Sequence, residues 1–282
     1  FMYEYILGKA WKTGVSDADW IERLADRRIG KADEAARSAW RKLIDNVYVD
    51  CPITGQATLT CAHPCLEGNW RWTTRPGRSW SVSDIVDIWA TLAKADSDRD
   101  SYVFDMVNVG RQALGDLFLD VRDEFTAAYR KGDIELAEKK ADELLGILGD
   151  MDRLLACHRS FRLEPWLKAA RGFGSDDSSR AYYEHNARTL ISVWGDSDHL
   201  TDYASRSLSG FVSSYYRKRW EMFFNEVLDC MKTERKFDQK AFDAVIYDFE
   251  RQWPDVELPA PRTPEDVKAL TGELIGKYCR RN

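Results

Sequence analysis

Apolar residues recur at three- and four-residue intervals along nearly the whole chain, and no stretch alternates apolar and polar positions between turn signals. The pattern predicts an all-α protein. Ser16 followed by Asp19 resembles a capping box and opens a helix through Trp20, Leu24 and Ala25 that stops at Gly30. A second helix is expected at about 32 to 48. Between about 50 and 80 the period breaks, and prolines and glycines are scattered among Trp70, Trp72 and Trp80. A loop of that length is either functional or pinned to the body by its tryptophans.

Helix resumes at about 82 to 95 and at 101 to 131, where Phe104, Val107, Leu114, Phe118, Val121 and Phe125 share one face. Gly132-Asp133 turns the chain into a helix at about 133 to 157, so the pair reads as an antiparallel hairpin. A short helix at about 164 to 171 precedes a turn from Gly172 to Asp176. The next helix, 177 to 194, carries Tyr183, Ala187, Leu190 and Trp194 on one stripe and is expected to end at Gly195. Helices at about 201 to 232, 238 to 252 and 264 to 280 complete the series, the last following a Pro-rich stretch from Pro254 to Pro264. No linker or fixed-period repeat separates two cores, so residues 1–282 read as a single α-helical domain of antiparallel helices with one long aromatic-rich loop.

Composition narrows the class. With 44% hydrophobic and 31% charged residues the chain is neither disordered nor collagen-like. Its 41 basic and 47 acidic residues give a net charge of −6, with no basic block to meet a phosphate backbone, which argues against nucleic acid as a partner. No apolar run approaches the roughly 18 residues of a membrane span. The chain begins Phe-Met rather than Met, which leaves room for an upstream extension.

Six cysteines are too few for a disulfide-built scaffold of this length. Cys51, Cys61, His63 and Cys65 share one loop and invite a zinc reading, but there is no Cys-x2-Cys knuckle and Pro64 stiffens the turn. A loop disulfide or reduced thiols fit better. There is no Gly-x-Ser-x-Gly elbow and no phosphate loop, and the four histidines form no His-Glu-x-x-His or Glu-x-x-His. With 47 carboxylates, any acid pair is arbitrary without geometry. No catalytic residue, metal or cofactor is therefore assigned. The run from Trp194 through Asp196, Asp198, His199, Leu200 and Asp202 to Tyr203 is more specific: a polar loop with an aromatic at each end. Such rings can pack on a pyranose while Asp and His bond its hydroxyls, or can simply be core residues at helix ends. Arg219 falls on an apolar stripe between Tyr215 and Met222 or Phe223, so it needs a buried acidic or carbonyl partner and reads as structural.

From Tyr182 onward the order Tyr183-Glu184-His185-Asn186-Ala187-Arg188, Trp194-Gly195, Asp202 through Val212, and Tyr215-Tyr216-Arg217-Lys218-Arg219-Trp220 closely resembles the C-terminal helical domain of the α-N-acetylglucosaminidases, glycoside hydrolase family 89. Trp20-Ile21-Glu22, Arg27 to Gly30, Ala39 to Leu43, Val47-Tyr48 and Asp105 to Gln112 follow in family order. The resemblance implies an exo-acting, retaining hydrolase that removes terminal α-linked N-acetylglucosamine from glycans such as heparan sulfate, outside the cytoplasm. It implies two catalytic Glu residues on a preceding (β/α)8 barrel, absent from this chain, which is therefore expected to be inactive alone. Asn225-Glu226 looks like the family's acid/base pair but lies within a predicted helix, and is rejected as catalytic. The resemblance further implies that the helical domain packs on the barrel and closes one side of the sugar pocket with Trp194, Leu200 and Tyr203, with Asp202 and His199 as lesser contributors. The loop from Cys51 to Trp80 follows the family pattern only loosely, so no site residue is carried over from it. The alternative is a stand-alone carbohydrate-binding or protein-interaction module.

Overall fold

A computed structural model describes residues 6, 16–49, 59–66, 78–194, 202 and 204–278. It contains ten α-helices and no β-strand among the described residues, as the periodicity predicts. The helices are Asp17–Ile29 (α1), Glu34–Lys42 (α2), Val82–Leu92 (α3), Asp100–Lys131 (α4), Ile134–Ala156 (α5), Leu163–Arg171 (α6), Asp177–Ile191 (α7), Arg217–Lys232 (α8), Gln239–Gln252 (α9) and Val267–Tyr278 (α10). No helix among the described residues is long and apolar enough to cross a membrane.

Packing divides the chain into two compact units. The first draws on Phe1–Cys51, Arg78–Ala113 and Val267–Asn282, and the second on Pro52–Gly77 and Leu114–Asp266. In the first unit, Ser16 caps α1 by accepting the Asp19 N–H at 3.1 Å. Gly30 ends the helix at φ 92°, a left-handed conformation that costs glycine least. The second predicted helix stays α-helical only to Lys42 and then widens into a π turn over Leu43–Val47. The unit's core is apolar, with Leu24, Ala36, Ile85, Ile88, Trp89 and Met106 buried. Arg28 crosses it to Asp105, with Nη2 2.6 Å from Oδ1, and also donates to the Ser101 carbonyl.

In the second unit Gly132 turns the chain at φ 71°, and Asp133 caps α5 by accepting the Leu136 N–H at 3.0 Å. Lys140 of α5 pairs back to Glu124 of α4, as an antiparallel hairpin requires. The core is aromatic. Phe118 meets Trp220 edge-on at 5.1 Å, Phe125 meets Phe224 at 4.8 Å, and Phe211 packs on Tyr215 and Trp253, each at 4.9 Å. Offset and edge-on pairs at these spacings add to the burial of large rings.

Two boundaries around the candidate loop differ from the periodic expectation. Helix α7 ends at Ile191 rather than 194, because the Ser192 hydroxyl donates back to the Arg188 carbonyl and Trp194 takes a left-handed φ of 58°. The helix expected from about 201 begins at Phe211, with a π turn over Val212–Tyr216 leading into α8. Before it, positive φ at Asp202, Ser205 and Gly210 interrupts helical geometry. Ser209 instead bonds to Phe161 and Leu163, and Asp152 accepts the Gly210 N–H at 2.7 Å.

Candidate functional site

The site is built around one buried guanidinium. The π turn bonds the Arg217 N–H to the Val212 carbonyl five residues back, and Tyr215 and Tyr216 both end up buried beside α8. Arg219, one turn on, has its guanidinium 4.6 Å from the centre of the Tyr215 ring and 5.2 Å from that of Tyr216. Its Nη1 lies 2.9 Å from Asp202 and 2.6 Å from Glu250 of α9. Its Nη2 donates to the carbonyls of Cys61 and Ala62 at 3.3 and 3.0 Å. The acidic and carbonyl partners that the stripe position of Arg219 demands are thus both present.

His63 extends the cluster, with Nε2 2.8 Å from Asp243 and Nδ1 3.7 Å from Glu250. Gln239 donates to the same Asp243 oxygen at 2.8 Å and to the Pro64 carbonyl at 3.1 Å. Trp220 donates to the Thr60 carbonyl at 3.1 Å, so the short segment from Leu59 to Leu66 is tied to α8 and α9 by polar contacts. Cys61 and Cys65 are both buried in this segment, and Cys51 lies outside the described residues.

Burial and charge oppose one another here. Burial pushes the Asp202 carboxyl up to about 6, against the pull of Arg219 and with the push of Glu250. Burial also works against the Glu250 carboxylate, but Arg219 and His63 outweigh it and hold that carboxyl below its usual range. The buried His63 ring is penalised as a cation, yet Asp243 and Glu250 raise it above its usual value. Arg219 stays protonated throughout, because Asp202 and Glu250 more than offset its desolvation. Ligand atoms of His63, Asp202 and Glu250 lie within 4.8 Å of one another, a spacing that could hold a metal ion. The Arg219 guanidinium already stands between the two carboxylates, so the cation this donor set accommodates is the side chain itself.

Of the residues the sequence puts forward, Trp194 sits just past the end of α7 and is 38% exposed. Asp202 is 1% exposed, and its carboxylate faces Arg219. The two are joined through the backbone: the Asp202 N–H donates to the Ser192 carbonyl at 3.1 Å, two residues before Trp194. His199, Leu200 and Tyr203 lie outside the described residues. Asn225 and Glu226 lie within α8, where Glu226 accepts from Cys230 and pairs with Arg235. Periodicity alone did not single out Glu250 or Asp243. Glu250 had a signal available, since it stands on the buried stripe of α9 with Phe242 and Ile246.

Apart from this cluster, a concavity of about 1040 Å³ lies between α6, α7 and the stretch Glu257 to Arg262. Its charges are largely committed to one another: Glu184 pairs with Arg171 and Arg188, and Asp152 with Arg262.

Residues 20–275 match the family model described as the alpha-N-acetylglucosaminidase C-terminal domain. A human alpha-N-acetylglucosaminidase is 27% identical over 294 residues, covering 99% of this chain and 38% of that protein. Among solved structures, a family 89 glycoside hydrolase from Clostridium perfringens in complex with 2-acetamido-1,2-dideoxynojirimycin superimposes with a TM-score of 0.85 at 22% identity, over 98% of this chain and 33% of that one. The same bacterium's protein bound to its substrate GlcNAc-α-1,4-galactose superimposes with a TM-score of 0.83 at 22% identity, with the same coverage. The chain therefore spans little more than a third of the relatives it matches.

Proposed function

The chain belongs to the family of α-N-acetylglucosaminidase C-terminal domains, and from that premise we propose that it serves as the helical domain of a retaining exo-α-N-acetylglucosaminidase. In this reading the intact protein removes terminal α-linked N-acetylglucosamine from glycans such as heparan sulfate, outside the cytoplasm. The observation that carries it is the family match over residues 20–275, nearly the whole chain. The catalytic acid and nucleophile belong to a barrel elsewhere in the intact protein, on which this domain packs.

The chain's own contribution is to wall one side of the sugar pocket. Trp194, Leu200 and Tyr203 supply the apolar and aromatic surface, with His199 beside them and Asp202 behind them, its carboxylate taken up by Arg219. An indole accounts well for such a role, because the carbon-bound hydrogens on one face of a pyranose pack against an aromatic face. Trp194 suits it in particular, being a large aromatic left 38% exposed at a helix end rather than sunk in the core. A wall of this kind positions substrate and excludes water but supplies neither proton nor nucleophile, so the chain alone is inactive.

The test uses the intact protein and an aryl α-N-acetylglucosaminide. Turnover is expected from the intact protein, none from this chain alone, and Trp194→Ala should raise KM about tenfold or more. An intact protein without turnover, or turnover by the isolated chain, would overturn the reading.

A further inference from the structure

The geometry points to Arg219, acting through Asp202, as a positioning residue that sets the Trp194 indole. This rests on the sugar-contact reading of Trp194 above. The connection is a short series of bonds among described residues. Arg219 Nη1 holds the Asp202 carboxylate at 2.9 Å. The Asp202 N–H holds the Ser192 carbonyl at 3.1 Å, and the Trp194 N–H holds the Thr189 carbonyl at 2.7 Å. The Ser192 hydroxyl bonds the Arg188 carbonyl at 2.8 Å, closing the end of α7.

Backbone conformation adds a second, independent observation. Trp194 has φ 58° and Asp202 has φ 68°, left-handed values that side-chain-bearing residues adopt at a cost. Such residues persist where surrounding contacts over-determine them, and they concentrate where geometry matters to function. Asp202 meets that condition, with its carboxylate on a fully buried cation and its amide on α7. Arg219 is in turn fixed from the other sides by Glu250, by the Cys61 and Ala62 carbonyls and by two tyrosine rings. A rigid post of this kind fixes the backbone from which the indole projects, and stacking on a sugar face loses most of its value when that base shifts.

The experiment is a double-mutant cycle in the intact protein with an aryl α-N-acetylglucosaminide. Asp202→Asn keeps shape and hydrogen bonding while removing charge, and Arg219→Lys keeps charge while removing the fork. Each is expected to lower kcat/KM about tenfold, mostly through KM, and to have no further effect in a Trp194→Ala background. A purely structural role would leave kcat/KM unchanged below the melting temperature, or give losses that add to that of Trp194→Ala; either result overturns the inference. Failure of both variants to fold also overturns it, since the pair would then serve stability alone. If Trp194→Ala itself leaves kcat/KM unchanged, the sugar-contact reading fails first and takes this inference with it. An additive loss beside an effective Trp194→Ala sinks the inference alone.

Discussion

Arg28 and Arg219 are both arginines drawn out of water, one in each compact unit, and they are satisfied in different ways. Arg28 meets Asp105 in a two-pronged contact, and its side chain is still 23% exposed. Arg219 is fully buried and shared by Asp202 and Glu250, with His63 and Asp243 completing the group. The first balances its charge on a neighbouring carboxylate at the edge of water. The second holds more carboxylates than permanent cations, so its balance depends on protonation and on every member being present.

The largest effect expected from that difference is on stability. Arg219→Met should cost about 3–5 kcal/mol, because two buried carboxylates lose their cation. Arg28→Met should cost only about 1–3 kcal/mol, since Asp105 can recover some solvation. Urea denaturation of the two variants checks this, and equal losses would erase the distinction between the units.

The dependence on pH comes next. His63 is raised in the folded state from its ordinary 6.5, so its stabilisation is complete below that value and is lost as pH rises through the folded one. Asp202, raised from 3.8 to about 6, acts with the same sign: folding favours its proton, and stability falls as pH climbs through that interval. Glu250 is lowered from 4.5, so its contribution is complete above that value and is lost as pH falls through its folded value. Melting temperature should therefore peak on the acid side, near pH ~5, and decline toward pH ~8. His63→Gln should flatten the decline above about pH 6. A profile that rises from pH ~5 to pH ~8 would contradict the charge arrangement described for the cluster.

Two smaller effects sharpen the comparison. Trp194→Ala should cost about 2–3 kcal/mol, because a tryptophan 38% exposed still buries more than half of its surface, while the same substitution should weaken turnover in the intact protein. Calorimetry beside kinetics separates the two consequences. In the first unit, Ser16→Ala should cost about 1 kcal/mol by freeing the Asp19 N–H, with amide exchange in α8 and α9 unaltered. Faster exchange in α8 would mean that the local cap is coupled to the arginine cluster.

The helices were legible where each could be decided by its own residues. Ser16, Gly30, Asp133 and Asp176 marked ends that the structure places within a residue or so, because caps are local hydrogen bonds. The helix ends at Ile191 and Phe211 were not legible in that way. There a hydroxyl bonded to its own helix and an aspartate committed to a distant arginine outweighed a sequence pattern that would have continued each helix. Glu250 could have been suspected from its place on the apolar stripe of α9, as Arg219 was from its place on α8. Which acid would meet which base remained open, because 31 residues separate that pair and 158 separate Arg219 from Cys61.

The amino-acid sequence by itself determined that this protein is helical, approximately where each helix runs, which family its motifs resemble, and that Arg219 would require a buried partner. Those are properties of periodicity, local capping and the cost of an unpaired charge. Only the tertiary structure decided that the chain packs as two compact units and that His63, Asp202 and Glu250 gather around one guanidinium. It also decided that Trp194 stands at a strained helix end tied to Asp202. Those outcomes depend on long-range packing and on competition for a few buried hydrogen bonds, neither of which leaves a mark at any single position in the chain.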